Sequence, residues 1–104
     1  MFKIGIIAYS SKALSYYGTA TALSAARQYL AAASVGNYAL FGGGYASAIS
    51  AVVDAYNTSL VRTTPTALSE ARRYLVAASV GVYALFGGGD TGAVSAVVDV
   101  YQYN

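Results

Sequence analysis

Most of the chain consists of two tandem copies of one sequence. Residues 21–59 align with residues 66–104 at an offset of 45 without a gap, and 27 of the 39 paired positions are identical. The identical segments include Tyr-Ala-Leu-Phe-Gly-Gly-Gly at 38–44 and 83–89, and Ser-Ala-Val-Val-Asp at 50–54 and 95–99. A period of about 20 to 50 residues is typical of repeat architectures, in which each unit buries its faces against its neighbours. We therefore expect two similar units that pack on one another.

Within each unit, short apolar runs separated by turn residues predict β-strands. In the first unit these runs cover residues 27–35, 38–41, 49–56 and 59–62. Runs of about 4 to 8 residues bounded by glycine, asparagine or proline indicate strands. Residues 23–33 are rich in alanine and also fit a helix, but the glycine triplets, Val-Val pairs and tyrosines favour sheet. The sequence predicts an all-β fold with four strands in a unit.

The composition excludes several kinds of site. The chain has no cysteine and no histidine, which removes disulfides, thiol nucleophiles, imidazole bases and most zinc, haem and copper sites. Its four acids are scattered, unlike the paired carboxylates of glycosidases. We expect no catalytic residues, no metal and no cofactor, and thus no enzyme. The six basic residues form no stripe for nucleic acid, and no run approaches the roughly 20 apolar residues of a membrane span.

The glycine triplets carry a family resemblance. Phe-Gly-Gly at 41–43 and again at 86–88 resembles the hallmark of kelch repeats, in which an aromatic residue and a glycine pair close the second strand of a propeller blade. The resemblance extends to an arginine before and a tyrosine after the hallmark in each unit: Arg27 and Tyr56, then Arg72 and Tyr101. The tryptophan that usually follows this tyrosine is missing. Over residues 21–104, the resemblance implies two four-stranded kelch-like blades of a β-propeller.

The repeat also predicts how the chain is divided. Residues 21–65 form repeat 1, and residues 66–104 form repeat 2 without its last strand. Residues 4–9 resemble 51–56, and 12–17 fit a fourth strand, so residues 1–20 are interpreted as strands of a partial blade that closes the ring.

Two blades cannot encircle an axis, because propellers need about four to eight. Oligomerisation would complete the ring, and a trimer of two-blade chains is favoured. With only 10% charged residues and 57% hydrophobic ones, such a chain would gain solubility by burying its open faces. We expect a non-enzymatic, self-assembling scaffold for protein or glycan recognition, with itself as the first partner. The alternatives are a structural subunit of a filament or ring stack, and a fragment or engineered propeller with no function beyond assembly.

The loops after the glycine triplets are the first candidate binding surface. Tyr45-Ala46-Ser47 in repeat 1 becomes Asp90-Thr91-Gly92 in repeat 2, while the flanking residues stay constant. Binding surfaces usually lie on loops held by a rigid scaffold. Tyr45, Ser47, Asp90 and Thr91 are therefore the predicted recognition residues.

Two arginines complete the candidate set. Arg27 and Arg72 are equivalent in the repeats and could contact a ligand, but a structural pairing with Asp54 and Asp99 is favoured. The same aspartates could be interpreted as paired catalytic carboxylates. As recurring strand residues, they are better interpreted as acceptors of hydrogen bonds from a neighbouring turn.

Overall fold

The computed structural model describes residues 13–104. These residues form two antiparallel sheets and no helix. Sheet 1 contains β1 (Ala31–Val35), β2 (Tyr38–Gly42), β3 (Val53–Tyr56) and β4 (Arg62–Thr63), and sheet 2 contains β5 (Val76–Val80), β6 (Tyr83–Gly87) and β7 (Val98–Gln102). The predicted all-β class is confirmed, and the helical alternative for residues 23–33 is wrong.

Each sheet is a meander in which strands pair in chain order. β1 joins β2, and β5 joins β6, through two-residue turns whose first residue is a glycine with positive φ, 55° at Gly36 and 56° at Gly81. Glycine in the first position of a two-residue hairpin matches the right-handed twist of the strands. The equivalent turns explain why the two units share this geometry.

Three predicted strands start later in the structure than in the sequence interpretation. The run 27–35 becomes a strand only at Ala31, because Tyr29 has a φ of 62° and breaks the extended backbone. The run 49–56 begins at Val53, since the preceding backbone is bonded to the glycine triplet. The run 59–62 yields only Arg62–Thr63, because Leu60, with a φ of 61°, lies in a turn.

The core lies between the two sheets. One face of sheet 1, which includes Val35, Leu40 and Val53, packs against the opposite face of sheet 2, where Ala84 and Phe86 are fully buried. Burying a side chain of the size of valine or phenylalanine contributes roughly 1.5–3 kcal/mol. We call this contact the internal joint. It makes the two units one packed body.

The predicted partial blade lies mostly outside the described residues. The expected strand at 4–9 belongs to residues that the structure does not describe. Of the expected strand at 12–17, the described part, 13–17, belongs to no sheet, and residues 13–20 are exposed. No helix within residues 13–104 is long and apolar enough to span a membrane.

Candidate functional site

A buried ion pair ties the first glycine triplet to its sheet. Arg27 Nη1 lies 3.0 Å from Asp54 Oδ2, and both side chains are almost completely shielded from solvent. The Arg27 guanidinium also donates from Nε to the Gly43 carbonyl (2.8 Å) and from Nη2 to the Phe41 carbonyl (3.3 Å). Ser24 donates to Asp54 from both its backbone N–H and its hydroxyl. The guanidinium therefore holds the end of β2 and the triplet in place.

The second unit repeats the central ion pair of this arrangement. Arg72 Nη1 lies 3.0 Å from Asp99 Oδ2, and Nη2 donates to the Phe86 carbonyl at 2.9 Å. The Arg72 Nε has no hydrogen-bond partner among the described residues, although Arg72 is fully buried. The predicted pairing of the arginines with the aspartates is confirmed. A ligand-contacting role for Arg27 and Arg72 stays a prediction, and their donors are largely taken up within the chain.

The same hydrogen bonds set the ionisation of the two aspartates. Burial alone would raise the pKa of Asp54, but hydrogen bonds from Ser24 and Arg27 outweigh it and hold the pKa below its ordinary value. At Asp99, burial is likewise outweighed, here by Ser69 and Arg72, so its pKa is also lowered. Both carboxylates therefore bind protons less readily in the folded chain than in the unfolded chain.

This ionisation predicts acid sensitivity. Because the folded pKa values of Asp54 and Asp99 are lowered, their contribution to stability is fully present above the unfolded value, about 3.9. It is lost as pH falls through the folded values. We expect the free energy of unfolding, measured by urea denaturation, to be smaller at about pH 3 than at about pH 7. Asp99→Asn, at the less buried of the two pairs, should reduce this difference. If the difference in the free energy of unfolding were unchanged in Asp99→Asn, the Arg72–Asp99 pair would not contribute to the acid sensitivity.

The predicted recognition loops lie at the ends of the glycine triplets. Tyr45 bridges to Gln28 and to Ile49, and its equivalent Asp90 bridges to Arg73 and to Val94. The third and fourth candidates, Ser47 and Thr91, are exposed in their loops. Binding by these loops stays a prediction, which their exposure permits.

Arg73 brings the two loops together, which the sequence interpretation missed. Its Nε lies 3.3 Å from Asp90 Oδ2, and its guanidinium carbon lies 5.2 Å from the centre of the Tyr45 ring and 5.1 Å from that of Tyr74. Such cation–π contacts stabilise by about 0.5–1 kcal/mol at exposed sites. Positions 28 and 45 both change between the repeats, to Arg73 and Asp90. In the sequence, this paired change to a basic and an acidic residue was the feature that indicated the contact between Arg73 and Asp90.

The first glycine triplet lies close to the second unit in the internal joint. A Cβ on Gly42 would lie 3.0 Å from the Phe86 ring, and one on Gly43 would lie 2.6 Å from the Arg72 carbonyl oxygen. The equivalent glycines of sheet 2 have no such neighbours: a Cβ on Gly88 would meet only the Ser95 carbonyl, 3.7 Å away. Close approach of a neighbouring backbone is the physical use of glycine at this point.

Backbone hydrogen bonds also cross the internal joint. They run from Gly44 N–H to the Arg72 carbonyl (2.8 Å), from Arg72 N–H to the Ser50 carbonyl (3.1 Å), from Leu68 N–H to the Ala51 carbonyl (2.9 Å) and from Tyr74 N–H to the Tyr29 carbonyl (2.9 Å). The rings of Tyr29 and Tyr74 also pack at 4.4 Å between centroids. Each partner has an equivalent 45 residues away, so every one of these bonds has a potential counterpart at the outer faces.

On the outer face of sheet 2 lie the equivalents of the residues that sheet 1 buries in the internal joint. We call it the carboxy-terminal face, and its apolar members are Val76, Val80, Leu85, Val98 and Val100. Val98 is 53% exposed, whereas its equivalent Val53 is 0% exposed. Val80 is 63% exposed, whereas its equivalent Val35 is 6% exposed. Contiguous exposed apolar faces are typical of interaction sites, so this face is a candidate for one.

The outer face of sheet 1 presents the complementary positions. We call it the amino-terminal face; an open apolar groove on it is lined by Leu23, Ala39, Phe41, Tyr56 and Leu60, with residues 19–21 at its rim. The equivalents of Ala39, Phe41 and Tyr56 are Ala84, Phe86 and Tyr101. Ala84 and Phe86 are buried in the internal joint, and Tyr101 packs against its core. The chain therefore carries one half of the joint at each end.

No cluster of three or more acidic residues that could hold a metal ion occurs within residues 13–104. Comparison with protein-family models gives no match, and comparison with curated protein sequences gives none either. The resemblance to kelch repeats therefore stays a prediction based on the residues of the chain.

Proposed function

We propose that this protein is a non-enzymatic, self-assembling module whose copies associate by repeating the internal joint. The carboxy-terminal face of one copy takes the role of sheet 1, and the amino-terminal face of the next copy takes the role of sheet 2. Phe41 of the second copy would pack on Gly87 of the first, as Phe86 packs on Gly42 within the chain. The observation that carries this proposal is that both halves of a well-packed contact recur on the same chain, one on an exposed face and the other on a partly exposed face.

Hydrogen bonding supports the same arrangement. The bonds that cross the internal joint have equivalent donors and acceptors at the two faces, and these groups make no hydrogen bond within residues 13–104. The N–H groups of Leu23, Arg27 and Tyr29 on one copy would donate to the carbonyls of Ala96, Ser95 and Tyr74, respectively, on the other copy. The Gly89 N–H would donate in the opposite direction, to the Arg27 carbonyl. Unpaired backbone groups are costly once water is excluded, so a contact that pairs them all is favoured over one that merely covers the valines.

The contact is head-to-tail, so the rotation that relates neighbouring copies decides which kind of assembly forms. A rotation that closes gives a ring, and one that does not close gives an open filament. We favour a ring of three copies, whose six sheets would act as the blades of a kelch-like propeller, a number within the range of about four to eight blades found in propellers. The loops with Tyr45, Ser47, Asp90 and Thr91 would then recur around the ring as a recognition surface for protein or glycan. The filament is the second candidate, because the same exposed faces would build it.

Substitution on the carboxy-terminal face tests assembly directly. Val98→Lys should weaken association by roughly a hundredfold or more, because a lysine without a partner would be buried among apolar side chains. It should leave the single chain folded, since Val98 faces outward. Thr91→Lys is the control, because Thr91 is exposed and its equivalent in repeat 1, Ala46, is exposed as well, so that position 91 should stay in solvent after assembly.

Sedimentation of the wild type and both variants over a range of concentrations provides the measurement. We expect the wild type and Thr91→Lys to form one discrete oligomer and Val98→Lys to be monomeric. Negative-stain images of the wild type distinguish rings from filaments. A wild type that stays monomeric at high concentration, or a Val98→Lys variant that associates normally, would refute the proposed contact.

A further inference from the structure

A second feature of the joint is an open cleft at the edge away from the glycine triplets. It has a volume of about 570 Å³ and lies between the β1–β2 turn and the end of β3 on one side and residues 101–104 on the other. Its polar lining comes from asparagine, glutamine, threonine and tyrosine, with no charged side chain. This volume is within the range of about 300–1,000 Å³ found for small-molecule sites.

Internal hydrogen bonds orient the polar groups of the cleft. Asn37 donates from Nδ2 to the Tyr103 hydroxyl at 3.2 Å, which leaves the Asn37 Oδ1 as an acceptor and the hydroxyl hydrogen of Tyr103 as a donor. Asn57 Oδ1 accepts from the backbone N–H groups of Ser59 (2.9 Å) and Val61 (3.0 Å). The Asn57 amide NH₂ therefore remains for another partner. The cleft offers fixed donors and a fixed acceptor without any net charge on its side chains.

Two tyrosine rings give the cleft an aromatic wall. The rings of Tyr38 and Tyr103 meet edge to face, with centroids 6.1 Å apart. Tyr103 is held in place because its ring covers Gly36, where no Cβ would fit, and because its N–H donates to the Val82 carbonyl at 2.8 Å. Tyr38 is exposed and Tyr103 is partly exposed. Because Tyr103 is already held, its side chain loses less conformational entropy when a ligand packs against it.

We propose that this cleft binds a neutral carbohydrate. A sugar ring has apolar C–H faces that pack on aromatic rings, and hydroxyl groups that both donate and accept, which matches the mixed set on Asn37, Asn57 and Tyr103. An ionic ligand would lose water without gaining a counter-charge from any side chain of the cleft. This inference gives the glycan part of the proposed function a specific site, and it concerns a surface separate from the two assembly faces.

Titration of the full-length ¹⁵N-labelled protein tests the site. The probes are the neutral trisaccharides maltotriose, cellotriose and chitotriose, with an acidic hyaluronan oligosaccharide as the charged comparison. We expect at least one neutral probe to bind with a Kd of about 1 mM or below, with amide shifts concentrated at Asn37, Tyr38, Asn57 and residues 101–104. The acidic probe should not bind there.

Two substitutions locate the binding. Tyr103→Phe removes only the hydroxyl, and Asn37→Val introduces the residue that the second unit carries at the equivalent position 82. Each should weaken binding roughly tenfold, the loss of about one hydrogen bond. Tyr16→Phe is the matched control, because Tyr16 is exposed and outside the cleft, and it should bind as the wild type does.

Three outcomes would overturn the carbohydrate site. They are the absence of binding by all three neutral probes, shifts confined to another surface, and unchanged affinity in both cleft variants. The sedimentation measurements described above are unaffected by these outcomes. Failure of the cleft and failure of assembly are therefore distinguishable.

Discussion

Gly43→Ala should destabilise the chain by about 3 kcal/mol or more, whereas Gly88→Ala should cost only about 1–2 kcal/mol. The two glycines are equivalent, and their φ angles are 73° and 74°, so the backbone penalty for alanine is shared. Only the Cβ at position 43 would collide with the second unit, 2.6 Å from the Arg72 carbonyl and 2.8 Å from a methyl group of Leu75. The difference between the variants isolates the internal joint.

Urea denaturation at a dilution that keeps the chain monomeric measures this difference. Gly92→Ala is a further control, because Gly92 has a φ of 117° and open space around it. Equal losses at positions 43 and 88 would mean that the sheets are not in close contact. At higher concentration the proposed assembly gives Gly88→Ala a separate effect, since its methyl group would meet a second copy as that of Gly43→Ala meets Arg72.

The repeat predicted two similar all-β units because equivalent sequences adopt equivalent local structure. The turn glycines, the apolar runs and the Arg–Asp spacing are all local or periodic signals, and each led to a feature that the structure contains. Arg27 and Asp54 could be paired from sequence because the same two residues recur 45 positions later as Arg72 and Asp99. A buried arginine must find a carboxylate partner, and the repeat supplied one.

The missed features depend on contacts between units and on unusual backbone geometry. Tyr29 and Tyr74 adopt positive φ although neither is glycine, and no propensity rule predicts this for an aromatic residue. The strand starts at Ala31 and Val76 follow from it. The cleft at Tyr103 was also beyond prediction, because it depends on how the end of β7 lies over the β1–β2 turn.

The exposure of the two faces could not be derived from sequence for a related reason. Val53 and Val98 have the same identity and the same neighbours along the chain, yet one is buried and the other is exposed. Periodicity assigns both to the same side of a sheet. Which face of each sheet contacts the other unit depends on how the two sheets pack, and only the structure shows this.

Phe86→Ala should cost about 3–5 kcal/mol in the free energy of unfolding, which is typical of removing a fully buried phenylalanine. Phe86 is 0% exposed; its ring lies against Gly42 and meets Tyr101 edge to face, with centroids 5.7 Å apart. Phe41→Ala is the matched variant. Phe41 meets Tyr56 in the same way, at 5.8 Å, but it is only partly buried, so its loss should cost about 1–2 kcal/mol in dilute solution.

The order of these two effects reverses when association is measured in place of unfolding. Phe41 occupies on the amino-terminal face the position that Phe86 occupies in the internal joint. Phe41→Ala should therefore leave a folded monomer that associates at least tenfold more weakly in sedimentation. Phe41→Ala could instead assemble like the wild type while Phe86→Ala is destabilised as expected. The internal joint would then stand and its repetition between copies would not, because the Phe41 ring would contact no second copy.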